Sequence, residues 1–304
     1  MTVELDIATA EGLYRSLYRG RKFDEIVIAL QRQGAVSGYA QALGQEAAQV
    51  GAVSVLEPTD MVFPSYRQPV AAMHRGVTPT EILRYHSRQS SCPWDWRGLR
   101  FGPYTIPIGS QLAHATGWAL AETRRATGSV TLVFFGDGAS SQGEVHEAMN
   151  LAGVLQAPIV FLCENNGWAI SMPFAGQTAA SALYVRALGY GIRGEQVDGN
   201  DLMAVRESVA RAVTAARAGL GPTLIEAVTY RLGGHTTNDD PTLYREEVEL
   251  QRKVLDDPVE RFKSYCQTKD VLAQESIQAI REDVDRSLRS DAERFAKEFS
   301  VGHG

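Results

Sequence analysis

The sequence predicts an α/β protein with a mainly parallel central sheet and helices on both of its faces. Two short apolar runs, at residues 130–135 and 159–163, support this prediction. Each run is too short for a helix and lacks the polar alternation of a half-exposed strand, so a strand buried on both faces explains it best. Between the runs, apolar residues recur at helical spacing and complete a strand–helix–strand unit. These residues are Val145, Met149, Ala152 and Leu155.

Length and composition indicate an ordinary globular protein. The chain has 304 residues, of which 44% are hydrophobic and 22% charged, enough to bury a substantial core. A net charge of −6 argues weakly against a nucleic-acid partner. Three scattered cysteines fit a reduced, cytoplasmic compartment. The first eleven residues do not resemble a targeting segment, and no run approaches the roughly 18 apolar residues of a membrane helix.

Helical patterns flank the predicted sheet at both ends of the chain. We expect one α/β domain over residues 1–304, with a helical amino-terminal arm at 1–35 and a helical extension at 246–304. Within the sheet region, residues 61–63 and 223–230 are further strand candidates. The spacing of Leu202, Val205, Val209 and Val213 predicts a further helix that closes at residues 219–221. Residues 179–188 are also predicted to be helical.

Polar residues follow the two apolar runs where each predicted strand ends. Gly136-Asp137-Gly138 follows the first run, and Glu164-Asn165-Asn166 follows the second. Because parallel strands end at the same sheet edge, we expect Asp137 and Asn166 to lie close together, at the edge where α/β proteins bind ligands. Their hard oxygen atoms suit Mg²⁺ with a phosphate. The alternative is two ordinary turns after strands.

These two segments resemble the signature of thiamine diphosphate enzymes. The second continues through Gly167-Trp168-Ala169-Ile170-Ser171. The whole pattern, from Tyr14 to about Phe262, is similar to the alpha subunit of the decarboxylating component of 2-oxo acid dehydrogenase complexes. The resemblance implies the thiamine diphosphate-binding fold and that cofactor.

The resemblance also implies a set of metal and cofactor contacts. Mg²⁺ would be held by Asp137, Asn166 and the backbone carbonyl of Trp168, a position where the family usually has tyrosine. The turn formed by Gly136, Asp137, Gly138 and Ala139 would contact the cofactor.

A Tyr-Arg pair follows the predicted strand at residues 61–63. Tyr66 and Arg67 could clamp a phosphate, since guanidinium offers a bidentate, charge-assisted fork. Taken alone, the pair could also be a surface arginine beside a packed tyrosine. The resemblance assigns both residues to the cofactor's diphosphate.

The segment after that pair is a predicted loop followed by a helix. In the family, the positions of Ile108 and Ser110 contact the aminopyrimidine of the cofactor, although a buried helix start is an equal alternative. His114, one turn into the helix, is predicted to pack in the core.

The loop at 86–105, which includes Ser90, departs most from the family. Its Arg97 or Arg100 could meet a substrate carboxylate or be solvated.

His235 lies in a loop after the strand at residues 223–230, preceded by two glycines. Histidine is the usual general acid or base near neutral pH, and loops on a rigid scaffold often carry such groups. An exposed loop histidine is the alternative. The resemblance favours an active-site histidine, because His235-Thr236 is followed by Asp239-Asp240 and then Tyr244-Arg245 as in the family.

The resemblance therefore implies oxidative decarboxylation of a branched-chain 2-oxo acid or pyruvate, with acyl transfer to a lipoyl group of the acyltransferase. Such enzymes also need a glutamate from a second domain, for which the chain lacks room. We expect a separate beta subunit to supply it in an α₂β₂ heterotetramer. An acetoin dehydrogenase alpha subunit and a non-catalytic cofactor-binding subunit are the alternatives.

Overall fold

The computed structural model describes residues 5–87 and 91–301, and a parallel sheet lies at its centre. The strands are β1 (Met61–Phe63), β2 (Thr131–Gly136), β3 (Ile159–Asn165), β4 (Trp168–Ala169), β5 (Met172–Pro173), β6 (Arg193–Asp198) and β7 (Thr223–Val228). The five-stranded sheet has the order β1-β2-β3-β7-β6, and each neighbouring pair is parallel. The strands β4 and β5 form a small antiparallel pair beyond the end of β3.

Helices surround the sheet. They are α1 (Ile7–Arg32), α2 (Glu46–Val53), α3 (Pro69–His74), α4 (Pro79–His86), α5 (Ser110–Arg125), α6 (Gly143–Val154), α7 (Phe174–Gln177), α8 (Leu202–Arg217), α9 (Glu247–Val254), α10 (Pro258–Thr268) and α11 (Gln274–Val301), with short 3₁₀ helices at Asp137–Ser141, Tyr184–Tyr190 and Pro241–Leu243. Local signals set several starts: the side chain of Asp6 accepts from the Thr9 amide at 2.7 Å, and Thr78 and Glu81 form a capping box.

Apolar side chains leave the sheet alternately toward its two faces, and each face has its own buried cluster. Leu132 and Phe134 of β2 point into a core that also contains buried residues of α1, α2 and α8. Val133 and Phe135 point the other way, toward α5 and α6. The predicted parallel sheet with helices on both faces is confirmed, because strands buried on both sides need such cover.

The carboxyl-terminal helix packs back onto the amino-terminal helix. Arg281 of α11 donates to the hydroxyl of Tyr14 in α1 at 2.7 Å. The apolar stripe of this helix, formed by Ile277, Ile280, Val284 and Leu288, is buried. Across the described residues, none of the helices combines the length and apolar character needed to span a bilayer.

Two local predictions are wrong. Residues 179–188 do not form an α-helix: an irregular stretch leads into the 3₁₀ helix at Tyr184–Tyr190. The backbone amides of Leu183 and Tyr184 donate to the carboxylate of Glu226 at 2.9 and 3.1 Å, so a distant residue captures donors that a helix would use. His114 is exposed rather than packed, because α5 turns other residues, such as Leu112 and Ala115, toward the core.

The described part of the predicted loop is irregular but well packed. The aromatic residues Trp94, Phe101 and Tyr104 are buried, and the Trp94 indole donates to the Phe101 carbonyl at 3.0 Å. Phe101 forms a bridge beside Val62, which places this segment along the edge of β1. Ser90 lies outside the described residues. The segment therefore extends one wall of the sheet toward the ligand-binding edge.

Candidate active site

A cavity of about 240 Å³ opens at the carboxyl edge of the sheet. Nearly all the predicted site residues line it, namely Tyr66, Arg67, Ile108, Gly136, Asp137, Gly138, Ala139, Asn166, Trp168 and His235. The residues come from the ends of β1, β2 and β3, from the start of α5 and from the loop after β7. Ser110 is not among the lining residues, and its hydroxyl donates to the Pro107 carbonyl at 3.1 Å.

The turn after β2 brings a buried carboxylate to this cavity. Asp137 is 1% exposed, and Gln177 donates from its amide nitrogen to Asp137 Oδ2 at 2.6 Å. Burial raises the pKa of Asp137 above its ordinary value, since a charged carboxylate loses its hydration there. At position 138 a Cβ atom would lie 2.8 Å from the Cβ of Ala169, so glycine lets the turn approach β4 closely.

The turn after β3 brings the partner amide. Asn166 donates to Gln45 Oε1 at 3.1 Å, and its own Oδ1 accepts from the Trp168 amide at 3.2 Å. Gly167 has φ of +84°, which glycine adopts without strain. The Trp168 carbonyl accepts from Arg231 at 3.3 Å. The turn is therefore held by hydrogen bonds to two distant segments.

Two buried guanidinium groups give the cavity a positive end. Arg67 donates to the carbonyls of Gln41 and His235, both at 2.8 Å. Arg231 is fully buried and donates to the Ile170 carbonyl at 2.9 Å. Within residues 5–87 and 91–301, no carboxylate lies at ion-pair distance from either group. An anion such as a phosphate would supply the missing negative charge.

His235 lies between these two arginines. Its Nδ1 is 3.2 Å from a terminal nitrogen of Arg67 and 3.5 Å from one of Arg231. Because guanidinium only donates, Nδ1 acts as the acceptor, and the proton of the neutral ring is on Nε2. Burial and then the two guanidinium charges lower the pKa of His235 to about 4. The imidazole is therefore neutral at pH 7.

The loop that carries His235 is closed by its own polar residues. The carboxylate of Asp239 accepts from the His235 amide at 2.6 Å and from the hydroxyl of Tyr244. Arg245 donates to the Gly233 carbonyl at 2.8 Å, and the Tyr244 hydroxyl accepts from Arg231 at 3.1 Å. These contacts set the position of His235 from both ends of the loop.

A second cavity, of about 680 Å³, adjoins the first and shares Tyr66, Ile108 and His235 with it. Aromatic residues such as Tyr85 and Tyr104 line it. The loop arginines considered as substrate ligands line neither cavity. Arg97 stacks on Trp96 at 4.3 Å and Arg100 lies over Trp118 at 5.9 Å, so both have structural contacts instead.

Comparisons with known proteins agree with this geometry. The family described as "Dehydrogenase E1 component" matches residues 14–299. The chain is 44% identical, over 98% of its length and 82% of the relative, to the 3-methyl-2-oxobutanoate dehydrogenase subunit alpha of Mycobacterium tuberculosis (strain ATCC 25618 / H37Rv). It is 38% identical, over 99% of its length and 87% of the relative, to the pyruvate dehydrogenase E1 component subunit alpha of Acholeplasma laidlawii. It is 34% identical, over 90% of its length and 87% of the relative, to the 2-oxoisovalerate dehydrogenase subunit alpha of Bacillus subtilis (strain 168).

The chain belongs to the E1 dehydrogenase family. The family resemblance predicted from sequence is thereby confirmed. Thiamine diphosphate is the cofactor of this family, which agrees with the two unpaired guanidinium groups and the close-packed Gly138 turn at the cavity.

Few side chains in the described part of this E1 chain could hold a divalent cation. In the described ranges, no group of three or more His, Cys, Asp or Glu side chains converges in a way that could hold a metal ion. The predicted donors Asp137, Asn166 and the Trp168 carbonyl include only one such side chain. They are nevertheless hard oxygen ligands, which Mg²⁺ accepts when phosphate and water complete the octahedron.

The E1 site also contains residues that the sequence interpretation missed. These are Gln45, Gln68, Glu164, Gln177 and Arg231. Gln68 donates to Glu164 at 2.5 Å, and burial raises the pKa of Glu164 to about 7. The sequence does contain a signal for Arg231, because this residue directly follows a predicted strand and so lies at the ligand-binding edge. Gln45 and Gln177 had none, because their contacts span about 120 and 40 residues.

Proposed function

We propose that the chain is the alpha subunit of the E1 component of a 2-oxo acid dehydrogenase complex. Its substrate would be a branched-chain 2-oxo acid or pyruvate, and the acyl group would pass to a lipoyl group of the acyltransferase. The single observation that carries the proposal is the cavity where Asp137, Asn166 and two unpaired arginines meet. Names of the relatives support the substrate class. We expect a cytoplasmic location.

The diphosphate end would be bound by charge and by backbone. Arg67 and Tyr66 would hold phosphate oxygens, and the turn from Gly136 to Ala139 would let the diphosphate approach the main chain. Mg²⁺ would be held by Asp137, Asn166 and the Trp168 carbonyl. For this, Arg231 would have to share the Trp168 carbonyl oxygen, which has two lone pairs.

At the other end, Ile108 lines both cavities and would support the aminopyrimidine, with Ser110 behind it. Bound thiamine diphosphate supplies the electron sink for decarboxylation. His235 is neutral and carries its proton on Nε2. It would donate a hydrogen bond from Nε2 to a reacting oxygen or to the diphosphate. Arg67 and Arg231 keep the ring in this tautomer, because both donate toward Nδ1.

The site would be completed by a beta subunit in an α₂β₂ heterotetramer. Two acidic side chains, Asp137 and Glu164, are among the residues that line the first cavity, and both lie at its sheet end. The glutamate that activates the aminopyrimidine would come from the partner. Three exposed isoleucines would give that partner an apolar surface: Ile108 and Ile170 line the first cavity, and Ile106 lines the second.

Two measurements test this function. Calorimetric titration of the αβ pair with thiamine diphosphate should show tight binding that depends on Mg²⁺. Turnover of 3-methyl-2-oxobutanoate, pyruvate and acetoin, with an artificial electron acceptor, should be fastest for one of the two 2-oxo acids. Preferred turnover of acetoin would contradict the substrate class, and full activity of the alpha chain alone would contradict the shared active site.

A further inference from the structure

Glu226 is a buried carboxylate that lines neither cavity. It lies in the middle of β7 and is 0% exposed. Its Oε1 accepts from the Asn165 side-chain amide at 2.7 Å. Its Oε2 accepts from the amides of Leu183 and Tyr184 at 2.9 and 3.1 Å, and from Gln196 at 3.2 Å. Four donors thus compensate the buried carboxylate, and three of them belong to two segments that lead to the active site.

The first connection runs through Asn165. Its amide nitrogen faces Glu226, and its Oδ1 accepts from the backbone amide of Gly167 at 3.1 Å. Since a carboxylate can only accept, it forces the NH₂ group of Asn165 inward and the oxygen toward Gly167. This orientation sets the turn that presents Asn166 and the Trp168 carbonyl.

The second connection runs through the segment between β5 and β6. Glu226 anchors this segment at Leu183 and Tyr184. On one side of the anchor, Gln177 donates to the carboxylate of Asp137 at 2.6 Å. On the other side, Arg186 donates to the carbonyl of Ser140 at 2.7 Å. The Asp137 turn is therefore braced at both ends by a segment that Glu226 holds.

We propose that Glu226 is a positioning residue that sets the cofactor-binding edge by orienting the turns of Asp137 and Asn166 together. The inference rests on the proposed function, because it assigns those two turns to the cation and the diphosphate. Glu226 touches neither ligand and acts through Asn165 and through the Gln177 segment.

The test exchanges the hydrogen-bond acceptor at position 226 with the donor at position 165. Glu226→Gln keeps the shape but places an NH₂ group against the amide of Asn165 or the two backbone amides, so donors face donors. Adding Asn165→Asp restores every match: the amide at 226 donates to the carboxylate at 165, which still accepts from Gly167. Gln196→Ala is the control, since it removes one contact of the same carboxylate at the exposed edge strand.

The readout is Mn²⁺ affinity, measured by electron paramagnetic resonance in the αβ complex with saturating thiamine diphosphate, together with KM for the cofactor and kcat. We expect Glu226→Gln to weaken Mn²⁺ binding and raise KM by about 10- to 100-fold, as for outer-shell residues of metal sites, with a smaller change in kcat at saturation. The reversed pair should recover most of the affinity, and Gln196→Ala should match the wild type.

An unchanged Mn²⁺ affinity in folded Glu226→Gln, even with a lower melting temperature, would reduce the role to stability and overturn the inference. If that variant does not fold, Gln177→Ala cuts the same brace near the surface and should weaken Mn²⁺ binding about 10-fold; wild-type affinity there would overturn the inference as well. A wild-type complex that binds no cofactor would contradict the proposed function instead.

Discussion

The two ends of the first cavity differ in how complete they are. At the sheet end, Asp137 and Arg231 are 1% and 0% exposed and already hydrogen-bonded within the chain. The apolar rim consists of Ile108 and Ile170, which are 44% and 55% exposed, and of Ile106, which lines the adjoining second cavity and is 58% exposed. Ile170 also has φ of +55°, a strained conformation for a β-branched residue.

The difference agrees with the proposed division of the site between the alpha and beta subunits. Groups that bind an anion work best when they are oriented beforehand, because no reorganisation is then needed on binding. The sheet end meets that condition by itself. An exposed apolar rim gains free energy only when another surface covers it, as the proposed beta subunit would do.

Asp137→Ala should have the largest effect, since it removes the only carboxylate proposed to bind the cation. Loss of a buried charged partner costs about 3–5 kcal/mol, so cofactor affinity should fall at least about 100-fold. Calorimetry with thiamine diphosphate and Mg²⁺ measures it. Asp198→Ala is the control, because Asp198 also ends a strand at this edge but is exposed and outside the cavity. Equal affinities would show that the sheet end does not bind the cofactor.

His235→Asn should separate catalysis from binding. Asparagine keeps an acceptor for Arg67 and Arg231 but removes Nε2. If Nε2 donates to the reacting oxygen, kcat should fall about 100-fold, within the range for acid–base groups, while cofactor affinity changes little. The exposed His114 provides the control His114→Asn, which should be silent. Intact turnover in His235→Asn would contradict the catalytic role of His235 and favour another use of the loop.

Ile106→Asp tests the rim. An unpaired carboxylate buried under a partner costs about 1–3 kcal/mol, so association with the beta subunit should weaken about 10- to 100-fold without loss of alpha-chain stability. Sedimentation velocity of the mixed subunits reports it. Leu220→Asp is the control, since Leu220 is 63% exposed just before β7, at the opposite edge of the sheet. Unchanged assembly in Ile106→Asp would place the partner elsewhere.

The smallest effect concerns pH. Because the pKa of His235 is about 4 in the folded chain and 6.5 ordinarily, the unfolded chain binds the proton first as pH falls. The neutral His235 side chain therefore contributes fully to the stability of the folded chain above pH 6.5, and this contribution is lost as the pH falls toward 4. His235→Asn should therefore lose less stability than the wild type between pH 7 and 5, by under about 1 kcal/mol because the ring is partly exposed. Urea unfolding at both pH values measures this, and identical losses would contradict the neutral imidazole.

Much of the proposed cofactor-binding edge was predictable because its signals are local. An apolar run followed by Gly-Asp-Gly or by Asn-Asn-Gly specifies a buried strand and a turn without reference to the rest of the chain. The parallel arrangement then brings Asp137 and Asn166 to one edge, as the structure shows. The roles of Ser110 and of the metal ligands stay predictions.

Periodicity and short motifs depend on neighbouring residues, so the strands at 61–63, 130–135, 159–163 and 223–230, the turns after them and the family could be predicted from the sequence. The distant side chains that hold those turns are visible only in the folded chain. Gln45, Gln177, Arg231 and Glu226 reach the site across the fold, and Glu226 overrides the helical pattern at residues 179–188. Buried polar groups need hydrogen-bond partners, and these partners can be far away in the sequence. A local sequence pattern therefore does not predict them.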